Sequence, residues 1–174
     1  MRKIQYFLLC TTALSGVASA SIVLAADPTT LEVSAPAPGE VRTISGNEAF
    51  DSVVVGSATD ELGTLAIGAG QTLTSGIDAQ VGAVIGRDVG ASGTVQIEGA
   101  GASWTEQSGW MHLGNNGTGV VFVLDDAELS TRNVVIANQA SGSGTVTVDG
   151  AGTLWDNEYN IEIGRDGTGV VVVS

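Results

Sequence analysis

Three groups of side chains in this 174-residue sequence could do chemistry. Asp125, Asp126 and Glu128 form its one dense acidic group, and Arg132 follows close behind. Clustered carboxylates can hold calcium, and a cation beside them could meet the charge of an acidic sugar; a polysaccharide lyase would need that pairing. The commoner reading of such a group is a solvated corner. His112 is the only histidine. Its ordinary pKa suits proton transfer near neutrality, but the sequence suggests no nucleophile–His–carboxylate arrangement around it. It lies between the apolar Met111 and Leu113, which on a strand makes it an outward, solvated position. Trp104 and Trp155 stand 51 residues apart. They could stack on sugars, or each could cover the end of a structural repeat; the second reading is preferred. The expectation is no catalytic residue, no cofactor and no metal site, hence no enzyme.

The elements that would position these residues are short strands. From about residue 50 onward there is no proline, much glycine, and many runs of Val, Ile, Leu and Thr without a helical period. Gly93-Thr94-Val95-Gln96-Ile97-Glu98-Gly99-Ala100-Gly101 with Trp104 returns as Gly144-Thr145-Val146-Thr147-Val148-Asp149-Gly150-Ala151-Gly152 with Trp155, at an offset of 51. Leu113-Gly114-Asn115-Asn116-Gly117-Thr118-Gly119-Val120 returns as Ile163-Gly164-Arg165-Asp166-Gly167-Thr168-Gly169-Val170, at an offset of 50. A finer unit lies inside this one. A small residue follows an apolar one at Gly56, Gly86, Gly114, Ala137 and Gly164, with spacings of 30, 28, 23 and 27. One such unit cannot bury its own apolar face, whereas stacked units share a continuous core. Alternation in Thr145–Asp149 and Thr94–Glu98 points one face inward. The expectation is an all-β parallel solenoid of about five coils over 51–174; an antiparallel sandwich is the structural alternative. Val120–Leu124 and Val170–Val173 lack alternation, which predicts strands covered on both faces or joined by a partner strand.

The ends of the chain speak to location. Arg2 and Lys3, an apolar run from Ile4 to Val17, and Ala18-Ser19-Ala20 make 1–26 a secretory signal peptide, cleaved after Ala20 or near Ala25 or Ala26. All three prolines fall in Asp27–Gly39, so 27–50 reads as a linker or N-terminal cap. After the signal, four arginines stand against nineteen acidic residues, a net charge of −15. Such a surface repels nucleic acid. Cys10 is the only cysteine and lies in the signal, so disulfides and thiolate metal sites are excluded from the mature part. No G-G-x-G-x-D calcium motif is present, and Asn115-Asn116 becomes Arg165-Asp166 in the next repeat, so calcium is unsupported.

An apolar-Gly pair, a loop, then Gly-Thr-Val-x-Val-x-Gly-x-Gly and a Trp resembles the repeats of bacterial autotransporter (type V secretion) passengers and of some proteins with a PEP-CTERM sorting signal. The resemblance covers Ile85–Ser174 clearly and residues 51–84 weakly. Ala137 in place of Gly, and Thr153-Leu154 where Ser would precede the Trp, depart from it. It implies a right-handed parallel β-helix held outside the cell, serving as a stalk or adhesive surface toward a host-cell or matrix ligand. It also implies a C-terminal outer-membrane β-barrel translocator as partner. Val173-Ser174 aligns with Val123-Leu124, inside a repeat, so the chain is expected to be the N-terminal fragment of a longer one. A β-helix polysaccharide-acting enzyme and a PEP-CTERM-type matrix protein are the alternatives.

Overall fold

The computed structural model describes residues 30–34, 41–77 and 79–174. The segment 1–26 and the three prolines lie outside the described residues.

Among the described residues, apolar alternation broken by glycine produces fifteen strands and no helix. They are β1 (Thr30–Val33), β2 (Arg42–Thr43), β3 (Asn47–Ala49), β4 (Ser52–Val55), β5 (Leu62–Ile67), β6 (Thr72–Ser75), β7 (Val81–Ile85) and β8 (Ser92–Glu98). There follow β9 (Ser103–Glu106), β10 (Trp110–Leu113), β11 (Thr118–Leu124), β12 (Glu128–Ile136), β13 (Ser143–Asp149), β14 (Leu154–Ile163) and β15 (Thr168–Val173). Every pairing is parallel, and early strands pair with the strand three places on: β1 with β4, β2 with β5, β3 with β6. That is the signature of a chain wound as a solenoid with three strands per turn. Hairpins would have paired consecutive strands antiparallel, so the sandwich alternative is excluded.

The strands stack in three columns. The first holds β1, β4, β7, β10 and the C-terminal halves of β12 and β14; the third holds β3, β6, β9 and their N-terminal halves. Both long strands bend at a corner, where the register shifts between Thr131 and Asn133. The second column runs β2-β5-β8-β11-β13-β15. Five coils and two strands of a sixth result. The 51-residue repeat spans two coils, since Trp104 pairs with Leu129 and Leu129 with Trp155.

The core is a column of stacked apolar side chains. In the second column Leu65, Val95, Val121 and Val146 follow one another in register, and Ile67, Ile97, Val123 and Val148 do the same. All eight are buried, and each large side chain so removed from water contributes about 1.5–3 kcal/mol. The β11 stretch is not covered on both faces as its sequence suggested. Val121 and Val123 are inside, whereas Val120, Phe122 and Leu124 are half-exposed among Thr94, Gln96, Thr145 and Thr147 of the flanking strands. In β15, Val170 and Val172 are exposed. The stacked strands alone fix the inward face; an apolar outward residue needs no second layer.

The small-residue column marks one corner. Gly56, Gly86, Gly114, Ala137 and Gly164 all have positive φ, between 60° and 70°. The amide of each donates to the coil below, as from Gly114 to the Ile85 carbonyl at 2.7 Å and from Ala137 to that of Leu113 at 2.7 Å. A Cβ on Gly86 or Gly114 would lie 2.2 and 2.1 Å from the carbonyl oxygens of Thr118 and Ser143, so only glycine fits there. Ala137 pays the left-handed penalty of about 1–2 kcal/mol, so this departure from the repeat carries strain.

The described part of 27–50 joins the ladder. β1, β2 and β3 pair with β4, β5 and β6, so this segment forms a first coil. At the other end, inward residues of the sixth coil such as Ile161, Ile163 and Val173 are exposed.

Candidate functional site

The acidic group does not assemble with Arg132. Asp125 and Asp126 occupy the turn before β12, with φ of 54° and 68°. The Asp126 amide donates to the Thr153 hydroxyl, and the Asp125 amide to the Asp149 carbonyl. Glu128 opens β12 and is exposed. Four residues of extended strand, about 13 Å, separate it from Arg132, which lies at the bend and pairs instead with Glu158 at 3.0 Å. Among the described residues no group of three His, Cys, Asp or Glu is placed to hold a metal ion.

The structure instead gathers polar and aromatic groups across the outer face of the first column, from its corner with the third column at Gln80 and Gly109 to the small-residue corner at Arg165. His112 lies on the outward side of β10, as the sequence suggested, but it is half-buried rather than solvated. Burial lowers its pKa, against a contact from Nδ1 to Asn115 Oδ1 at 3.3 Å. Trp110 meets the His112 ring edge-on at 6.5 Å between centroids. Arg165 reaches down from the sixth coil and lies over the Trp110 ring, 5.7 Å from its centroid. Arg165 pairs with Glu162, whose pKa that hydrogen bond lowers, and donates to Asn138 Oδ1 at 3.0 Å. Asn138 Nδ2 donates in turn to Asn115 Oδ1 at 2.8 Å, so one polar chain links Glu162 to His112 across three coils. Gln80, Gly109, Trp110, His112 and Arg165 line a groove of 720 Å³.

A second groove, of 480 Å³, adjoins the same corner. Its centre is Arg132. The guanidinium donates to Glu158 and to the Tyr159 hydroxyl, each at 3.0 Å, and to the Gln107 carbonyl at 3.2 Å; it also lies 5.0 Å from the centroid of the Tyr159 ring. Two of the four arginines in 27–174 thus rest on aromatic rings, and each is held by a carboxylate. The corner offers flat aromatic surface rimmed by hydrogen-bonding groups and little net charge, which suits a neutral polar ligand better than an anion.

Trp104 and Trp155 take the structural role. Trp104 is fully buried and Trp155 packs partly buried on the core. The indole of Trp104 donates to Ser75 Oγ, and that of Trp155 to Thr131 Oγ1, each at 2.9 Å. Sequence reasoning passed over Glu106, two residues after Trp104 and therefore inward by the two-residue period of a strand. It is 1% exposed, and neither carboxyl oxygen makes a hydrogen bond.

Compared with protein-family models, with curated proteins and with solved structures, the chain matches none of them.

Proposed function

We propose that the solenoid is the exported passenger region of a bacterial surface protein of the autotransporter kind, a stalk whose outer face makes adhesive contacts. What carries the reading is the ladder itself, three parallel columns continued from Thr30 to Val173 around an apolar core. Such a form grows by adding coils and presents long faces to solvent. A charge of −15 after the proposed signal keeps that face soluble and free of nucleic acid. The corner bearing Trp110 and Tyr159 is the contact surface, toward a cell-surface or matrix ligand. A C-terminal outer-membrane β-barrel belongs to this reading as the translocating partner.

The test is protease applied to intact cells that produce the protein. Degradation without permeabilising the outer membrane is expected. Protection until the outer membrane is opened would overturn surface display. Binding of such cells to host-cell or matrix preparations is then compared with the Trp110→Ala, Tyr159→Ala double variant, which should bind at least tenfold less. Equal binding would remove the contact surface from this corner.

A further inference from the structure

Glu106 closes β9 and points into the solenoid, where its column carries only neutral groups. Ser75 pairs with it in the coil below, and Thr131 follows Ser130, the partner of Thr105, in the coil above. Asn157 holds the equivalent place two coils up, 51 residues on, where it accepts a hydrogen bond from Thr131 Oγ1 at 2.9 Å. The upper pair of coils thus completes a chain from Trp155 to Thr131 to Asn157. In the lower pair Trp104 reaches Ser75, and the carboxyl of Glu106 is left without a partner.

Room for it comes from two glycines. A Cβ on Gly76 would lie 2.5 Å from Glu106 Oε1, and one on Gly82 would lie 2.2 Å from it. The carboxyl therefore fills a notch walled by bare backbone at the turn beneath and at the start of its own coil. The turn that follows, Gln107–Gly109, is held by the Gln107 amide on the Ser75 carbonyl at 2.9 Å, by Ser108 Oγ on the carbonyls of Gly76 and Ala79, and from the coil above by Arg132 on the Gln107 carbonyl and Asn133 Nδ2 on the Gly109 carbonyl, at 3.2 and 3.1 Å.

We propose that Glu106 is a proton-controlled latch on this corner: neutral, its carboxyl plugs the notch between Gly76 and Gly82; ionised, it leaves the notch toward Arg132 and loosens the Gln107–Gly109 turn. A buried carboxylate without a partner is costly, while the same group in the open turn is hydrated. The groups facing it fix the direction. β6, the residue that follows it and β7 present Ser75, Gly76 and Gly82, and its own turn presents Ser108, none of which titrates in this range. β12 presents Thr131 and Arg132. Arg132 is the charge that acts on Glu106, and its guanidinium already holds the Gln107 carbonyl at 3.2 Å. Asp156 and Glu158 of β14 share its groove. Asp78 lies outside the described residues. Burial pushes the Glu106 pKa up to about 7, against the Arg132 charge and the nearby backbone amides of Arg132 and Ser108, which pull it down although neither forms a hydrogen bond to the carboxyl.

Hydrogen exchange of the Gln107 amide tests the latch. After correction for intrinsic exchange, its opening should rise on the order of fiftyfold between pH 5 and pH 8. The Ser103 amide, at the far end of the same strand and bonded to the Gln71 carbonyl, is the control and should not follow. In Glu106→Gln the Gln107 profile should be flat. If that variant folds poorly, Glu106→Asn and Glu106→Ser place the residue types of the neighbouring coils in the column and should be flat as well. A wild-type profile without pH dependence, a slope retained in the variants, or a Glu106 carboxyl carbon that titrates near 4.5 by NMR would each overturn the proposal.

Discussion

The indole N–H of Trp104 donates to the hydroxyl of Ser75 one coil below, 2.9 Å away and out of reach of water. Two coils higher Trp155 makes the same bond to Thr131. The tryptophans of the 51-residue repeat are therefore rivets between coils, each needing a hydroxyl two positions beyond its cross-strand leucine, as Ser75 follows Leu73 and Thr131 follows Leu129.

Removing only the indole donor isolates this bond. Trp104→Phe should destabilise the solenoid by about 1–3 kcal/mol, since it leaves a buried hydroxyl without its partner and shrinks the ring. Trp155→Phe should cost less, because Trp155 is only partly buried. Urea titration followed by circular dichroism orders the two; an equal or larger loss at Trp155 would contradict the assignment.

The left-handed corner gives a prediction in both directions. Gly114→Ala should cost more than about 2 kcal/mol, combining the left-handed penalty with a clash on the Ser143 carbonyl. Ala137→Gly relieves the same penalty but adds freedom to the unfolded chain, for a net gain of up to about 1 kcal/mol. Thermal unfolding midpoints should move down for the first and stay level or rise for the second.

A buried carboxyl and a half-buried imidazole set opposing pH slopes. The folded pKa of Glu106 is raised, so the stability it contributes is full below the unfolded value near 4.5 and is lost as pH rises to about 7. That of His112 is lowered by burial, so its contribution is full above the unfolded value near 6.5 and is lost as pH falls below it. His112→Gln should therefore leave a protein that weakens from pH 4.5 toward 7. Glu106→Gln should leave one that weakens as pH drops below 6.5. Urea midpoints measured across pH 4–8 separate the two, and the opposite pattern would refute the burial of either side chain.

Arg132 should matter more to its neighbour than to the fold. It lies on the surface, and its ion pair with Glu158 is exposed to solvent, where such pairs contribute little. Arg132→Gln should leave the unfolding midpoint near its original value. It should also move the Glu106 titration, read by carboxyl carbon NMR, to higher pH, because the charge that favours the anion is gone.

The one-dimensional pattern settled the architecture. Valine and isoleucine at every second position, and small residues at 56, 86, 114, 137 and 164, specify inward faces and corners that only stacking can satisfy. The offset of 51 between the tryptophans located two coils per repeat, because in a solenoid sequence period and height above the base are the same quantity. What each coil does to the next could not be read this way. Arg165 meets Trp110, Arg132 meets Tyr159, and Glu106 faces Gly76 and Gly82 because residues about 25 to 55 apart are brought together by the winding of the chain. An acidic run such as Asp125–Glu128 looks like a site in the sequence and is spread along a turn and a strand in space. The period of the side chains fixes which face they point to; only the stacking decides which neighbour is there to meet them.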